Sequence, residues 1–258
     1  MNELCGSSRR PAAAPPAWAV LLDAPLPYAS GLRLQERLHA ARLAEAIPDT
    51  VLFLEHTPVV TLGARGRRDG LRVSPAELQS RGIDLVQASR GGNVTFHGPG
   101  QCVMYPILRL GRAEGDAHGY LFQLEEIALR TAADFGILAF RRPGLNGAWT
   151  AAGKLAAIGF RLRRWVTLHG MSFNVNVDLA GFDLIVPCGL AGERVTSLRQ
   201  CLGAGAPSVA QVRLRLARHF ENVCRHRLEI FPAGQPLPPP LERLLAPVPG
   251  TAGSASRG

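Results

Sequence analysis

The sequence predicts a single α/β domain with a β-sheet of mixed topology. Apolar runs of strand length alternate with segments of helical periodicity, and there is no internal repeat. A chain of 258 residues with 47% hydrophobic and 19% charged residues is long enough to build one substantial core. We therefore expect a disordered leader over residues 1–16, one globular domain over residues 17–231 and a Pro/Gly/Ala-rich tail over residues 232–258.

Short apolar runs and helical patterns alternate in the first part of the chain. Strands are predicted at residues 17–22, 51–54, 59–62 and 83–87. Leu34, Leu38 and Ala41 share one helical face, so a surface helix should end before Pro48. A second, short helix should begin at Ser74, because serine caps a helix start well and a proline and a glutamate follow in the first turn.

The middle of the chain contains a glycine-rich loop at residues 90–101, followed by a strand at residues 103–110. Pro106 within that strand argues for an edge position or a bulge, since proline cannot donate to the ladder. A helix with one apolar face should follow and end at Gly136, and the last regular element should be a helix that begins at Ser208.

Residues 153–189 hold the first candidate for chemistry. Residues 171–178 alternate apolar and polar, so one face of this strand should pack and the other can face a cleft. Lys154 is the only lysine among the 29 Lys and Arg residues. An ammonium can give up a proton and a guanidinium cannot, so a lone lysine indicates an amine used as an amine. Chance survival in an arginine-favouring genome is the alternative.

Cys188 is the second candidate, between Pro187 and Gly189. The proline favours extended geometry before it and the glycine allows close approach of the backbone, so the thiol could project into a cleft. A thiolate is the reactive form of cysteine, and a nearby lysine can lower its pKa or take up its proton. A small buried hydrophobe remains the alternative for Cys188, and it is the preferred interpretation of Cys102, Cys201 and Cys224.

The glycine-rich segment could wrap an acyl chain or present amides to an oxyanion. His97 could orient a carbonyl or shuttle a proton, although a hydrogen bond within its own loop is the simpler interpretation. The same two interpretations apply to His169. Residues 147–154 imitate a phosphate loop but have the wrong spacing and lack its Ser/Thr, so ATP binding of that type is not predicted.

Composition limits the partners and the compartment. A net charge of +9 favours nucleic acid, an anionic membrane or an acidic carrier protein, unless the arginines only form a solvated surface. Few aromatic residues (6%) and no arginine clusters among them argue against nucleic acid. No apolar run has membrane-spanning length, and five widely spaced cysteines without a Cys-x-x-Cys pair fit a reducing compartment. We therefore expect a cytoplasmic protein that does not bind a membrane.

Four separated motifs occur in one order between Leu54 and Ser197. They are Glu55-His56-Thr57-Pro58, Arg90-Gly91-Gly92-x-x-Thr95-x-His97-Gly98-Pro99-Gly100-Gln101, Gly153-Lys154-x-x-Ala157-Ile158-Gly159, and His169-Gly170 followed by Pro187-Cys188-Gly189. In this combination the chain resembles the lipoyl (octanoyl) transferases. The resemblance implies the biotin/lipoyl protein ligase-like fold, a class II synthetase-like mixed β-sheet flanked by helices, and makes residues 17–231 the catalytic domain.

The resemblance also implies the reaction. An octanoyl or lipoyl group would move from the thioester of acyl carrier protein to a lysine of lipoyl domains, in 2-oxoacid dehydrogenase subunits and the glycine cleavage H protein, without a metal or nucleotide cofactor. Cys188 would be the acyl-thioester nucleophile and Lys154 the group that lowers its pKa. The implied acyl-binding walls are Arg90, Gly91, Gly92, Asn93, Val94, Thr95, Phe96, His97, Ala157, Ile158, Gly159, Gly170, Met171 and Ser172.

Two other functions remain to be compared with this one. An ATP-dependent lipoate or biotin ligase would share the fold and use a lysine to hold an acyl-adenylate, but it needs no nucleophilic cysteine, so Cys188 argues against it. A basic nucleic-acid-binding domain is the alternative that is not an enzyme.

Overall fold

The computed structural model describes residues 14–66, 68–111, 117–186 and 192–246. The strands are β1 (Pro16–Leu21), β2 (Asp49–Leu54), β3 (Val59–Leu62), β4 (Asp84–Gln87), β5 (Val94–His97), β6 (Gln101–Ile107), β7 (Phe140–Arg142), β8 (Leu145–Thr150), β9 (Gly153–Arg163), β10 (Val166–Asn174) and β11 (Arg227–Phe231). The helices are α1 (Tyr28–Leu43), α2 (Pro75–Ser80), α3 (Ala117–Asp134), α4 (Ala180–Asp183), α5 (Leu198–Leu202), α6 (Val209–Cys224) and α7 (Pro239–Leu245). Within these described ranges, no helix combines the length and the apolarity that crossing a bilayer requires.

A mixed sheet forms the centre of the described structure, with its eight strands in the order β11-β1-β2-β6-β10-β9-β8-β7. β1 is parallel to β11 and β2, whereas the pairs from β2–β6 to β7–β8 are antiparallel. Leu124 of α3 and Phe220 of α6 pack on one face of this sheet. Leu38 of α1 and Leu241 of α7 pack on the other. The predicted α/β domain, a mixed sheet flanked by helices, is confirmed.

Two helix starts follow from local sequence signals. Ser74 Oγ accepts a hydrogen bond from the backbone N–H of Glu77 (3.2 Å) at the start of α2. At the start of α6, Ser208 and Gln211 form a reciprocal capping box, in which each side chain bonds to the backbone of the other residue. These contacts satisfy N–H groups that have no partner inside the helix, so both predicted starts are confirmed.

A second, three-stranded sheet in the order β4-β3-β5 lies beside the large one. Its apolar side, with Val60 and Phe96, packs against Leu78 of α2 and Phe182 of α4. The segment at residues 90–101 is therefore not a loop throughout, because β5 pairs antiparallel with β3. Residues 94–97 alternate apolar and polar side chains as a strand does, but the glycines on both sides of them favoured the interpretation as a loop.

β6 lies in the middle of the large sheet, whereas Pro106 predicts an edge or a bulge. Its ladder with β10 extends as far as Met104, and a further bridge forms at Arg109. Between these points Pro106 has no N–H to donate, and His169 on β10 has a φ of 59°. The N–H of His169 donates instead to Oε1 of Gln35 (2.7 Å). The proline is tolerated in a central strand because the ladder is interrupted beside it.

β10 ends at Asn174 and is buried along its whole length, so the predicted half-buried strand over residues 171–178 is wrong in extent and in exposure. Ser172 faces a cleft, as the alternation predicts, but other polar side chains of β10 face neighbouring parts of the protein. Asn174, for example, accepts from Gln101 Nε2 (2.8 Å) and donates to the carbonyl of Thr196 (2.9 Å). Polar alternation indicates exposure only when nothing covers the polar face.

Part of the predicted tail is structured. α7 lies within residues 232–258 and buries Leu241 completely against the face of the sheet that α1 covers. Arg37 of α1 donates to the carbonyl oxygens of Arg243 and Ala246 and so holds the end of α7. Two prolines at the start of α7 are compatible with a helix, because the first-turn N–H groups need no partner within it.

Candidate active site

A cleft opens between β9 and β10 of the large sheet and the segment that leads into β5. It encloses about 860 Å³ of empty space including its open mouth. Thirteen of the fourteen predicted wall residues line it, the exception being Phe96, whose side chain packs against Phe182 in the core of the small sheet. The cleft-lining residues are Arg90, Gly91, Gly92, Asn93, Val94, Thr95, His97, Ala157, Ile158, Gly159, Gly170, Met171 and Ser172. The structure thus brings together segments that are about eighty positions apart in sequence.

Glycine backbones form the narrow end of the cleft. Gly159 and Gly170 are direct partners across β9 and β10. A Cβ on Gly159 would lie 2.7 Å from the carbonyl oxygen of Gly91, which is too close for any real contact. The segment before β5 can approach because no side chain intervenes, and the N–H of Gly91 donates to the carbonyl of Phe160 (3.0 Å). The cleft is therefore closed at this end by main chain.

Arg90 fixes the wall of the cleft from inside the protein. Its guanidinium is almost fully buried and donates to the carbonyl and the hydroxyl oxygen of Thr61 (both 2.7 Å). It also donates to the carbonyl oxygen of Gly91 (3.0 Å). This positive charge stands beside the histidines of the cleft and opposes their protonation.

Three buried histidines lie in or next to the cleft. Burial lowers the pKa of His56 and of His169 to about 4, and burial together with nearby positive charge lowers the pKa of His97 to about 3. All three imidazoles are therefore neutral near pH 7. The rings of His56 and His169 contact Tyr105, which lines the cleft and was not predicted as a site residue. A single polar ring on an apolar strand gave no sequence signal for it.

Hydrogen bonds define two of the histidine tautomers. His56 Nδ1 donates to the carbonyl of Leu26 (3.0 Å), so its Nε2 accepts from the hydroxyl of Tyr105 (2.8 Å). His97 Nδ1 donates to Oε1 of Gln101 (2.6 Å), which leaves a lone pair on Nε2 of this cleft-lining residue. His97 thus has a hydrogen bond to its own segment, as the simpler interpretation predicts, and also a nitrogen lone pair that takes no part in that bond.

Lys154 lines the same cleft from β9 and is only 7% exposed. Its ammonium lies 4.9 Å from the centre of the ring of Trp149, the residue directly opposite on β8. The backbone of Lys154 is fixed on its other side, since its N–H donates to the carbonyl of Arg194 (2.9 Å) and its carbonyl accepts from Thr196 (3.0 Å). Gly147 has no Cβ to crowd the lysine stem or the carbonyl of Ala156.

Cys188 lies outside the described residues, as does Cys5. On the N-terminal side of residues 187–191, Val186 donates to the carbonyl of Gly70 (2.8 Å). On the C-terminal side, both carboxylate oxygens of Glu193 accept from Arg142 (2.6 and 2.9 Å). The described chain on both sides of Cys188 is therefore anchored.

Two of the three described cysteines are unsuited to nucleophilic chemistry, and the third lies away from the cleft. Burial raises the pKa of the Cys102 and Cys224 thiols to about 12, so both stay protonated at neutral pH. Cys102 is fully buried, as predicted, whereas Cys201 and Cys224 are partly exposed. Cys201 lies 3.5 Å from the hydroxyl of Thr196, and neither Cys201 nor Cys224 lines the cleft.

The fold first defines the class of protein. The structure superimposes on lipoate-protein ligase A bound with ATP with a TM-score of 0.71 at 16% identity, covering 89% of this chain and 92% of that one. A bi-partite lipoate protein ligase from Thermoplasma acidophilum gives a TM-score of 0.70 at 16% identity, with 90% and 91% covered. At this identity the similarity shows the fold alone, and it confirms the predicted ligase-like fold.

Sequence comparisons then define the family. Residues 27–221 match the lipoyl protein ligase A/B catalytic domain. The octanoyltransferase of Geobacter metallireducens is 45% identical over 213 residues, which are 83% of this chain and 96% of the relative. That of Chloroflexus aurantiacus is 46% identical, with 76% and 89% covered. The chain belongs to the octanoyltransferases of this domain family, acyltransferases that transfer an octanoyl group in lipoylation, as the resemblance predicts.

Proposed function

We propose that the chain transfers octanoyl from acyl carrier protein to lipoyl-domain lysines through a thioester on Cys188, with Lys154 as its proton partner. The main support is the position of Lys154, the only lysine of the sequence, which is nearly buried and lines the cleft. Its backbone bonds to Arg194, which is six positions after Cys188. Six extended residues span at most about 20 Å, so chain connectivity keeps the thiol within this part of the molecule.

The chemistry needs a thiolate and a group that releases one proton in the first step and takes one up in the second. The Cys188 thiolate attacks the thioester carbonyl, the carbon–sulfur bond to the donor arm breaks, and the released thiolate takes a proton from the Lys154 ammonium. The lysine amine of the acceptor then attacks the new thioester. Its surplus proton passes to Lys154, and Cys188 leaves as a thiolate. Each step exchanges one bond to the acyl carbon for another, so no oxidant, metal or nucleotide is required.

The cleft supports this reaction by excluding water from the acyl group. Its walls combine the apolar side chains of Ile158 and Met171 with glycine backbone, which suits an unbranched chain. The neutral histidines add polar groups without adding charge. The cleft lies entirely within residues 17–231, which we propose as the catalytic domain, and the pattern of cysteines favours a reducing cytoplasm.

We propose as acceptors the lipoyl domains of 2-oxoacid dehydrogenase subunits and the glycine cleavage H protein. Acyl carrier proteins are acidic as a class, so the net charge of +9 favours their encounter with this enzyme. Steering by charge predicts that added salt weakens the apparent affinity for the donor. If salt left that affinity unchanged, charge would not be the reason for partner choice.

The test is incubation with octanoyl-acyl carrier protein and no ATP. A hydroxylamine-sensitive octanoyl adduct should form on the protein and then transfer to an added lipoyl domain. Cys188→Ser should prevent both events, and Cys201→Ser, the matched control, should prevent neither. Activity that needs ATP and free octanoic acid would instead identify a ligase. Retention of most transfer activity by Cys188→Ser would exclude the thioester mechanism.

A further inference from the structure

A short loop brings a cation to the mouth of the cleft. Residues 63–66 connect β3 to the chain beyond it, and three backbone hydrogen bonds attach them to the cleft wall. Gly63 donates to the carbonyl of Asn93 (2.9 Å), Ala64 to that of Arg90 (2.8 Å) and Arg65 to that of Gly92 (3.1 Å). Arg65 lines the cleft and is exposed to solvent, which places its side chain at the mouth.

The guanidinium of Arg65 is available for a ligand. Among the residues described, it has no hydrogen-bond acceptor and no acidic partner. Two other arginines of this region are occupied, since Arg90 is buried on Thr61 and Arg142 is bound to Glu193 through both terminal nitrogens. The backbone of this loop is already fixed by hydrogen bonds, so binding an anion would restrict only the side chain of Arg65.

The same stretch of chain lies next to the segment that carries the proposed nucleophile. Beyond Arg65 it continues to Gly70, which accepts from the N–H of Val186, and to Leu71, which forms a β-bridge with Ile185. Val186 is two positions before Cys188 in the sequence. An anion bound at Arg65 would therefore lie on the same side of the cleft as the chain leading to the nucleophile.

We propose that Arg65 binds the phosphate of the phosphopantetheine arm that presents the acyl group. The inference rests on the proposed function, in which the acyl chain occupies the cleft and the arm leaves through the mouth. The phosphate is the anionic group of that arm, and a guanidinium can bind two of its oxygens at once. Carrier-bound arms and coenzyme A share this phosphate, so the site by itself would serve either source.

Two synthetic donors isolate the phosphate. Octanoyl-4′-phosphopantetheine and octanoyl-pantetheine differ only in this group, so the ratio of their kcat/KM values reports its contribution to transfer onto a lipoyl domain. We expect a ratio of about ten at low salt, a value that allows for solvent screening at an exposed arginine. Arg65→Gln should reduce the ratio to about one, and Arg65→Lys should retain part of it. Arg68→Gln is the matched control, because Arg68 is an exposed arginine three positions further along the chain that does not line the cleft, and it should keep the full ratio.

The outcomes separate this inference from the function on which it rests. An unchanged ratio in Arg65→Gln, or a ratio of one in the unmodified protein, would overturn the phosphate site while transfer itself persists. Absence of transfer from every donor would instead overturn the proposed function. Comparing octanoyl-acyl carrier protein with octanoyl-coenzyme A then identifies the source of the arm. Arg65→Gln should weaken both donors if the shared phosphate is what Arg65 binds.

Discussion

Lowering the pH from 6 to 5 should destabilise the fold through the three buried histidines. Their folded-state pKa values are about 4, about 3 and about 4 for His56, His97 and His169, whereas the usual value is 6.5. The folded protein therefore resists protonation of these rings and the unfolded chain does not. Their neutral form contributes full stability above pH 6.5, and this contribution is lost as the pH falls toward 4.

The magnitude follows from proton linkage. At pH 5 each imidazole of the unfolded chain holds roughly one proton, and each imidazole of the folded chain holds at most about one tenth, so unfolding takes up roughly three protons. Each proton changes the free energy of unfolding by about 1.4 kcal/mol per pH unit. The free energy of unfolding should therefore fall by about 3 kcal/mol between pH 6 and pH 5, a range in which surface carboxylates remain ionised.

Urea titrations followed by far-UV circular dichroism at the two pH values would measure this fall. His56→Gln should reduce it by about one third, or about 1 kcal/mol, because one of the three protons no longer binds. Tyr105→Phe is a suitable control, since it removes the hydroxyl that donates to His56 and should lower stability at both pH values. It should leave the pH-dependent fall close to that of the unmodified protein. A fall of less than 1 kcal/mol in the unmodified protein would refute the account.

Three further substitutions test the site and the fold. Lys154→Arg keeps the charge and loses the removable proton, so octanoyl transfer should slow by about 100-fold or more with an unchanged circular dichroism spectrum; normal transfer would rule out a proton-transfer role. Ala157→Leu adds three carbons to the cleft wall and should displace about three methylenes of a bound octanoyl chain. At about 0.8 kcal/mol of lost burial per methylene, kcat/KM for octanoyl transfer should fall roughly 50-fold. The shorter butanoyl chain should be affected little. An equal loss for both chain lengths, or the same selectivity change in the exposed control Ala210→Leu, would contradict this placement. Ser74→Ala removes the cap of α2 and should lower the free energy of unfolding by about 1 kcal/mol in urea titrations, and no change would show that the cap is not stabilising.

Local signals predicted most of the elements. The starts of α2 and α6 followed from Ser74 and Ser208, because a capping contact involves residues only three positions apart. The sequence did not reveal that Pro106 is in a central strand, since its tolerance depends on His169, which is far away in the chain and has an unusual backbone conformation. Propensity describes a residue and its near neighbours, and it cannot include a compensation supplied by another strand.

The residues that line the cleft were largely predictable, whereas the directions in which their side chains point were not. The resemblance supplied thirteen residues that line it, and it also supplied Phe96, which does not. Phe96 packs in the small sheet because residues 94–97 form a strand, in which Phe96 points away from the side that presents Thr95 and His97. A segment interpreted as a glycine-rich loop gave no reason to apply that alternation. Tyr105 was missed for a related reason, since its surroundings depend on His56 and His169, which come from other parts of the chain.

The structure shows the surroundings of Lys154, which is the only lysine of the sequence. Its ammonium stands over the ring of Trp149, a type of contact that an arginine can also make, so this contact alone does not explain why the one lysine of the chain occurs there. The two side chains differ chemically, because an ammonium can give up a proton to a reacting group and a guanidinium does not. We propose that proton transfer is the property that distinguishes lysine from arginine at this position, and comparing octanoyl transfer by Lys154→Arg and by the unmodified protein tests this proposal directly.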